Sequence, residues 1–281
     1  MFNQNIKAPV NIPVSKIHPF EGNPYKVLDN DEMNTLISSI QEQGILTPII
    51  IRPIENTDEY EVISGHRRLH ATVRAGMKEV PAFIYAVTRD EAAIMLVDSN
   101  LHREHILPSE KAFAYKLKLE AMKHQGITCG QVGHKSRDEI SDTDSGRQIQ
   151  RYIRLTYLIP ELLDLVDEEK IALTPAVELS YLTDEEQYAL LGSIEVEDRT
   201  PSLSQAVRFK KLSQTGNLSD DDIETIMQED KANQKPMFKV SMEKLQEIAP
   251  RVKDKDFEDF VLKACEHYYR YLLRQRDRDS R

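Results

Sequence analysis

The chain has 281 residues, of which 40% are hydrophobic and 30% charged, with only two cysteines and a formal net charge of −10. A chain of this length can bury two or three small cores without staples, and Cys129 and Cys265 lie far apart with no CxxC spacing, which excludes a disulfide framework or a zinc site read from sequence. No segment approaches the roughly 18 apolar residues of a membrane span, and the opening MFNQNIKAPVNIPVSKI has no apolar h-region, so the reading is a soluble, cytoplasmic protein without a membrane partner.

The acidic total argues against a protein that coats nucleic acid indiscriminately, because phosphate rewards positive charge. The charge is unevenly spread, however. Lys111 to Tyr157 carries nine Lys or Arg against five Asp or Glu, a local +4, whereas Leu158 to Lys235 holds eighteen acids against seven bases. A nucleic-acid surface is therefore expected in the first window.

In chain order, the first hundred residues alternate helical and strand patterns, which predicts a mixed α/β domain. Asn30 or Asp31 can cap a helix whose apolar positions Met33, Leu36, Ile37 and Ile40 follow the 3.6 period and which stops at Gly44. Strands are expected at Ile49 to Ile51, Tyr60 to Ile63 and Val80 to Val87, with a helix from His66 to Arg74 after the second. Thr88 and Glu91 have capping-box spacing and open a helix running to about Asn100.

From Ser109 onward the pattern is helical. A long helix, Ser109 to Lys123, precedes the Gly, Ser and Asp-rich stretch Gly126 to Ser145. Ser145 and Gln148 again have capping-box spacing, and the helix they open places Ile149, Tyr152 and Ile153 on one side and Arg147, Arg151 and Arg154 on the other. Further helices are expected from Pro160 to Glu229, including one capped by Ser219. A polar linker, Asp230 to Pro236, is followed by a short strand, Met237 to Val240, and an amphipathic helix, Asp256 to about Arg274. That last piece is too small to be very stable alone, which suggests dimerisation or docking. The expected class is α+β: a small mixed α/β domain over 1–108, an all-helical domain over 109–229 and a small C-terminal domain over 236–281.

Two clusters carry chemistry. Ser64-Gly65-His66-Arg67-Arg68 lies where a predicted strand turns into a predicted helix, the setting in which backbone N–H groups and the helix dipole favour an anion. Two arginines add forked donors suited to phosphate. Taken alone, the plainer account is a glycine turn beside solvated arginines. Asn100-Leu101-His102-Arg103-Glu104 places an amide, a guanidinium and a carboxylate at a helix end, a plausible phosphate and metal constellation. By contrast, His70, His102, His105 and His134 have no metal-ligand spacing, and Tyr268, Tyr269 and Tyr271 are read as the packed side of a terminal helix rather than a base-stacking surface.

These clusters resemble those of a known family. S-G-H-R-R-L-H-A is similar to the G-x-R-R-x-x-A phosphate box of ParB-type partition proteins, whose N-terminal domain is ParB/Srx-like, and N-L-H-R-E-x-x-x-P-S-E-K-A resembles their E-N-x-x-R-E-x-x-x-P-x-E-x-A box. Asn23-Pro24-Tyr25-Lys26 resembles the family's N-P segment, and Gly44-Ile45-Leu46-Thr47-Pro48-Ile49 its G-h-x-x-P-h element, in the same order. The resemblance implies a domain that binds CTP and Mg2+, with Thr47, Gly65, His66, Arg67, Arg68, Asn100, Arg103 and Glu104 as nucleotide-binding residues and Asn100 as a magnesium ligand. The acidic residue usual before the Asn is Ser99 here, with Asp98 one place earlier. That substitution puts hydrolysis in doubt, so the enzyme question stays open between a weak CTPase and none.

G-R-Q-I-Q-R-Y-I-R-L-T-Y-L-I-P resembles the family's helix-turn-helix recognition helix, which implies double-stranded DNA as partner and Arg147, Gln148, Gln150, Arg151 and Arg154 as its contacts. A solvated charged helix is the plainer account of the arginines alone. The resemblance further implies a homodimer, a ParA-type ATPase partner and association with a nucleoid or plasmid, with chromosome, plasmid and integrative element all open as its origin. The reading is a sequence-specific, CTP-responsive partition protein. Its alternatives are a helix-turn-helix transcription regulator without nucleotide switching, a ParB-like nuclease lacking clustered carboxylates, and a sulfiredoxin-like enzyme, for which Gly65 stands where the reactive cysteine would be.

Overall fold

Five strands and eleven α-helices form among the residues that the computed structural model describes, which are 8–103, 105–125, 144–229, 249, 252 and 257–279. The strands β1 (Val10–Pro13), β2 (Ile17–His18), β3 (Ile49–Pro53), β4 (Tyr60–Ser64) and β5 (Glu79–Ile84) make one mixed sheet in the order β1-β5-β3-β4-β2. β3 runs antiparallel to β4 and parallel to β5, with a register irregularity between Ile50 and Ile51. Successive side chains of a strand point to opposite faces, and both faces are covered. Ile49, Ile51 and Val62 pack with Leu69, Val80 and Ala82 on one side; Ile50 and Ile63 pack with Ala93, Leu96 and Val97 on the other. Hence Ile49 to Ile51 is an unbroken apolar run rather than an alternating one.

The capping chemistry predicts the first and third helices closely. α1 (Asp31–Gln43) starts at Asn30, whose side chain accepts from Met33 N, and ends at Gly44 with φ +72°. α2 (His66–Arg74) follows β4, and α3 (Arg89–Asn100) opens on the reciprocal Thr88/Glu91 box. Strands β1 and β2 are not foreseen by the sequence pattern. β2 has two residues, and both strands exist only through distant partners: Val10 with Ala82, and Ile17 with Tyr60. No alternation can develop over so few positions.

The sheet leads into helices α4 (Pro108–His124), α5 (Gly146–Leu155), α6 (Pro160–Asp167), α7 (Leu173–Leu179), α8 (Asp184–Glu197), α9 (Leu203–Gln214) and α10 (Asp220–Gln228). Leu155, Leu162, Leu179, Leu190 and Phe209 are fully buried at their centre. Met1–Glu229 forms one compact unit and Asp230–Arg281 a second. In the second, α11 (Phe257–Asp279) carries Tyr268, Tyr269 and Tyr271, all at least half exposed, so the packed aromatic side expected there is open in this chain. The expected strand Met237 to Val240, the linker Asp230 to Pro236 and residues 126–143 lie outside the described residues. Among the described residues no helix is long and apolar enough to cross a membrane.

Candidate functional site

The junction between β4 and α2 is built around Gly65. Its φ is +102°, a conformation that side-chain-bearing residues rarely adopt, and a Cβ there would lie 2.8 Å from Ile49 Cγ2 and 3.1 Å from Arg68 Nη2. No side chain caps α2, so the N–H groups of its first turn, which have no intrahelical acceptor, lie at the positive end of the helix dipole. Glycine is required so that the chain can turn this tightly, and the same turn aims the backbone donors at one place.

The three side chains after Gly65 divide into different roles. His66 Nε2 accepts from Phe20 N at 3.3 Å, and burial pushes its imidazole down from 6.5 to about 4, against partial opposition from the Glu61 carboxylate. It is a neutral anchor. Arg67 is half-buried and pairs with Glu32 Oε2 of α1 at 3.0 Å. Arg68 turns back under Gly65, where its Nη1 donates to the carbonyls of Thr47 and Pro48, and burial lowers its pKa. Thr47 itself is exposed. Arg68 thus fixes the chain entering β3, while Arg67 is the cation with a solvent-facing partner.

Asn100 is the last residue of α3. Its Nδ2 donates to Leu96 O at 2.8 Å and to Ser99 Oγ at 3.2 Å, and exposed Arg103 donates its backbone N–H to Asn100 O at 3.1 Å. Glu104 lies outside the described residues. Among the described residues no hydrogen bond or ion pair joins Asn100 or Arg103 to residues 65–68. The segment Phe20 to Lys26 lies between the two clusters instead. Phe20 and Tyr25 are buried with Val97, and Tyr25 Oη reaches Val97 O at 3.5 Å. Glu21 N donates to Glu61 Oε1, whose other oxygen holds the buried Arg52 at 2.8 Å.

The same segment reaches the helical region. Lys26 N donates to Glu110 Oε1 at 2.9 Å, and Glu110 Oε2 accepts from Leu107 N at the start of α4. Lys26 Nζ is 3.6 Å from both Asp164 and Asp167 of α6, and Asp167 also accepts from the N–H and hydroxyl of Ser109. Glu32, Glu61 and Asp167 are not legible as site residues in the sequence, whereas Glu110 belongs to the P-S-E-K-A box. Each of those three is an acid within an ordinary capping or surface pattern, and only the fold supplies its distant partner.

On α5, the capping expectation is half met. Ser145 accepts from Gln148 N, but Gln148 Oε1 accepts from Arg151 Nη1 at 3.3 Å. Arg151 also donates to Thr174 Oγ1. Arg147 is exposed and Gln150 half-buried. Arg154 is placed differently from the other two arginines. It lies over the Tyr157 ring at 4.5 Å and the Tyr181 ring at 3.9 Å, and donates to Ser180 Oγ and O at 3.1 and 2.7 Å. Lys116 and Lys210 cover the same two rings from α4 and α9. Arg154 therefore ties α5 to α7, as Arg151 does in part through Thr174, leaving Arg147 at the start of the helix as its exposed cation.

Residues 3–101 match the model of the ParB N-terminal domain. Over that stretch, about a third of its length, the chain is similar to the N-terminal domain of ParB proteins. It is 33% identical over 162 residues to the chromosome-partitioning protein Spo0J of Thermus thermophilus, covering 58% of this chain and 56% of that one. Among solved structures it is similar to C-terminally truncated chromosome-partitioning protein ParB from Caulobacter crescentus, complexed to the centromeric parS site (20% identical, TM-score 0.42, 78% of this chain and 98% of that chain) and complexed with CTP-γ-S (23% identical, TM-score 0.32, 66% and 98%). These overall likenesses are too loose to bear on individual residues. The chain spans about half the length of the curated relatives it matches.

Proposed function

We propose that this chain is a ParB-type protein, a sequence-specific, CTP-responsive DNA-binding protein of the partition class, with the nucleotide held by residues 1–108, DNA by residues 109–229, and pairing of copies by residues 236–281. The observation that carries the nucleotide reading is the Gly65 turn: an uncapped helix N-terminus behind a position that no Cβ can occupy is a cradle shaped for phosphate. Arg67 would leave its surface pair with Glu32 for a phosphate oxygen at small cost, since exposed ion pairs contribute only about 0–1 kcal/mol. Arg68 would keep Thr47 in place, and neutral His66 would hold Phe20 to Lys26 against the cradle. The choice of cytosine follows from the family resemblance; the cradle itself suits any triphosphate.

Magnesium bound to the phosphates would neutralise part of their charge. Asn100 can offer it one oxygen, the remainder of its shell coming from phosphate and water. Arg103 would add a second guanidinium. DNA would meet Arg147, Gln148, Gln150 and Arg151 at the start and middle of α5, as helix-turn-helix recognition helices present their N-terminal residues to base edges. Homodimerisation and a ParA-type ATPase partner belong to the same proposal. A helix-turn-helix regulator that ignores nucleotide is the second reading, favoured by one observation: both arginines of the cradle already have protein acceptors.

The experiment is equilibrium binding of labelled CTP, ATP, GTP and UTP with magnesium, with and without DNA from the protein's own locus. Binding of CTP above the other three supports the switch. Retained DNA binding with no nucleotide bound leaves the regulator.

A further inference from the structure

Away from both clusters, α8 and α10 lie side by side and leave an open surface groove of about 310 Å³. Its lining includes Ala189, Gly192, Val196 and Glu197 of α8 with Asp220 and Glu224 of α10, and both Gly192 and Val196 are exposed. Three features of this groove are unexplained by the fold. Gly192 sits inside a helix, where glycine costs about 0.5–1 kcal/mol relative to alanine, yet an added Cβ would meet nothing within 4 Å and its φ is not positive. Val196, one turn further along the same face, is 83% exposed. The three carboxylates of the lining have no cationic partner among the described residues; only Glu197 is engaged, accepting from Gln228 Nε2 at 3.3 Å.

Each feature suits an absent neighbour of one kind. Two adjacent helices present a groove into which the ridge of a third can pack, and an exposed glycine in its lining lets that backbone approach closely. An exposed valine calls for an apolar side chain. The unpaired carboxylates, set in a region with eighteen acids and seven bases from Leu158 to Lys235, call for cations and repel DNA phosphate. We propose that this groove docks a basic amphipathic helix of a partner protein, with an apolar ridge over Gly192 and Val196 and lysines or arginines reaching Glu197, Asp220 and Glu224.

The probe is a labelled synthetic helix of leucine, alanine and lysine, with a second peptide in which glutamate replaces every lysine, each titrated into the full chain by fluorescence anisotropy. Two variants separate the groove from the general negative field. Gly192→Leu adds bulk to the lining without changing charge, has open space for its Cβ and favours the helix, so it should fold. Glu224→Lys reverses one charge of the lining. The lysine peptide should bind saturably, about tenfold more weakly to each variant, and the glutamate peptide should not bind. Equal binding to wild type and Gly192→Leu would mean that only the overall charge attracts the peptide, and would overturn the proposal. A change in the chain's own sedimentation mass in Gly192→Leu would assign the groove to a second copy and overturn it equally.

Discussion

The turn at Gly65 and the arginine face of α5 were both expected to hold phosphate, yet they are built on opposite principles. At Gly65 the donors are backbone groups, fixed by a positive φ at a position where Ile49 leaves no room for a Cβ; side chains serve mainly to lock the surroundings. On α5 the donors are side chains, and each can be claimed by a neighbour. Arg154 is claimed by Ser180 and two tyrosines, Arg151 partly by Thr174 and Gln148. A backbone site leaves a mark in the sequence because only glycine satisfies it. A side-chain site does not say which of its cations are free.

The largest test of this contrast is Gly65→Ala. The left-handed conformation costs a side-chain-bearing residue about 1–2 kcal/mol, and the contact with the fully buried Ile49 adds to it, so urea unfolding should show a loss of about 2–4 kcal/mol. Nucleotide affinity should fall by about a hundredfold or more. Arg67→Ala gives the counterpart. It removes only a surface pair, so stability should change by about 1 kcal/mol or less, while nucleotide binding is lost and DNA binding persists. A stable Gly65→Ala protein that still binds nucleotide would show that backbone donors do not make the site.

Why the sequence revealed some of this and not the rest follows from the range of the interactions involved. Caps and periodic helices are local, so Asn30, Thr88, Ser145 and Ser219 mark their helix starts correctly. The glycine turn is local too, and its motif resembles a family because its geometry tolerates so little change. Strands β1 and β2, the Glu61 anchor and the Lys26–Asp167 contact depend on residues about 40 to 140 positions apart, and no spacing rule reaches that far. Arg154 shows the same limit within the site. Its helical phase with Arg147 and Arg151 is correct, but Ser180 and Tyr181 lie in the turn after another helix, α7.

A second test concerns the neutral anchor. His66 has a folded pKa of about 4 against an ordinary 6.5, so between those values the unfolded chain binds a proton that the folded chain excludes. Stability must therefore rise with pH through this window and fall as pH drops through it. Going from about pH 7 to about pH 5 should remove about 2 kcal/mol that His66→Gln does not lose. Parallel pH profiles for the variant and wild type would show that the ring is not desolvated, and that Phe20 to Lys26 is held against the cradle by other contacts.

The smallest effect separates two arginines of α5. Arg154→Ala removes two hydrogen bonds and two ring contacts at a partly exposed position, and should lower stability by about 1–2 kcal/mol while leaving the slope of log K against log salt unchanged. Arg147→Ala should alter stability by less than about 0.5 kcal/mol and reduce that slope by about 1, the signature of one lost phosphate contact. The two substitutions remove the same charge from the same helix, so net charge cannot explain a difference between them. If both reduce the slope equally, Arg154 leaves its tyrosines to meet DNA, and the contrast between the committed and outward cations of α5 fails; if only Arg147 does, the end of the helix that reaches DNA is its N-terminal end.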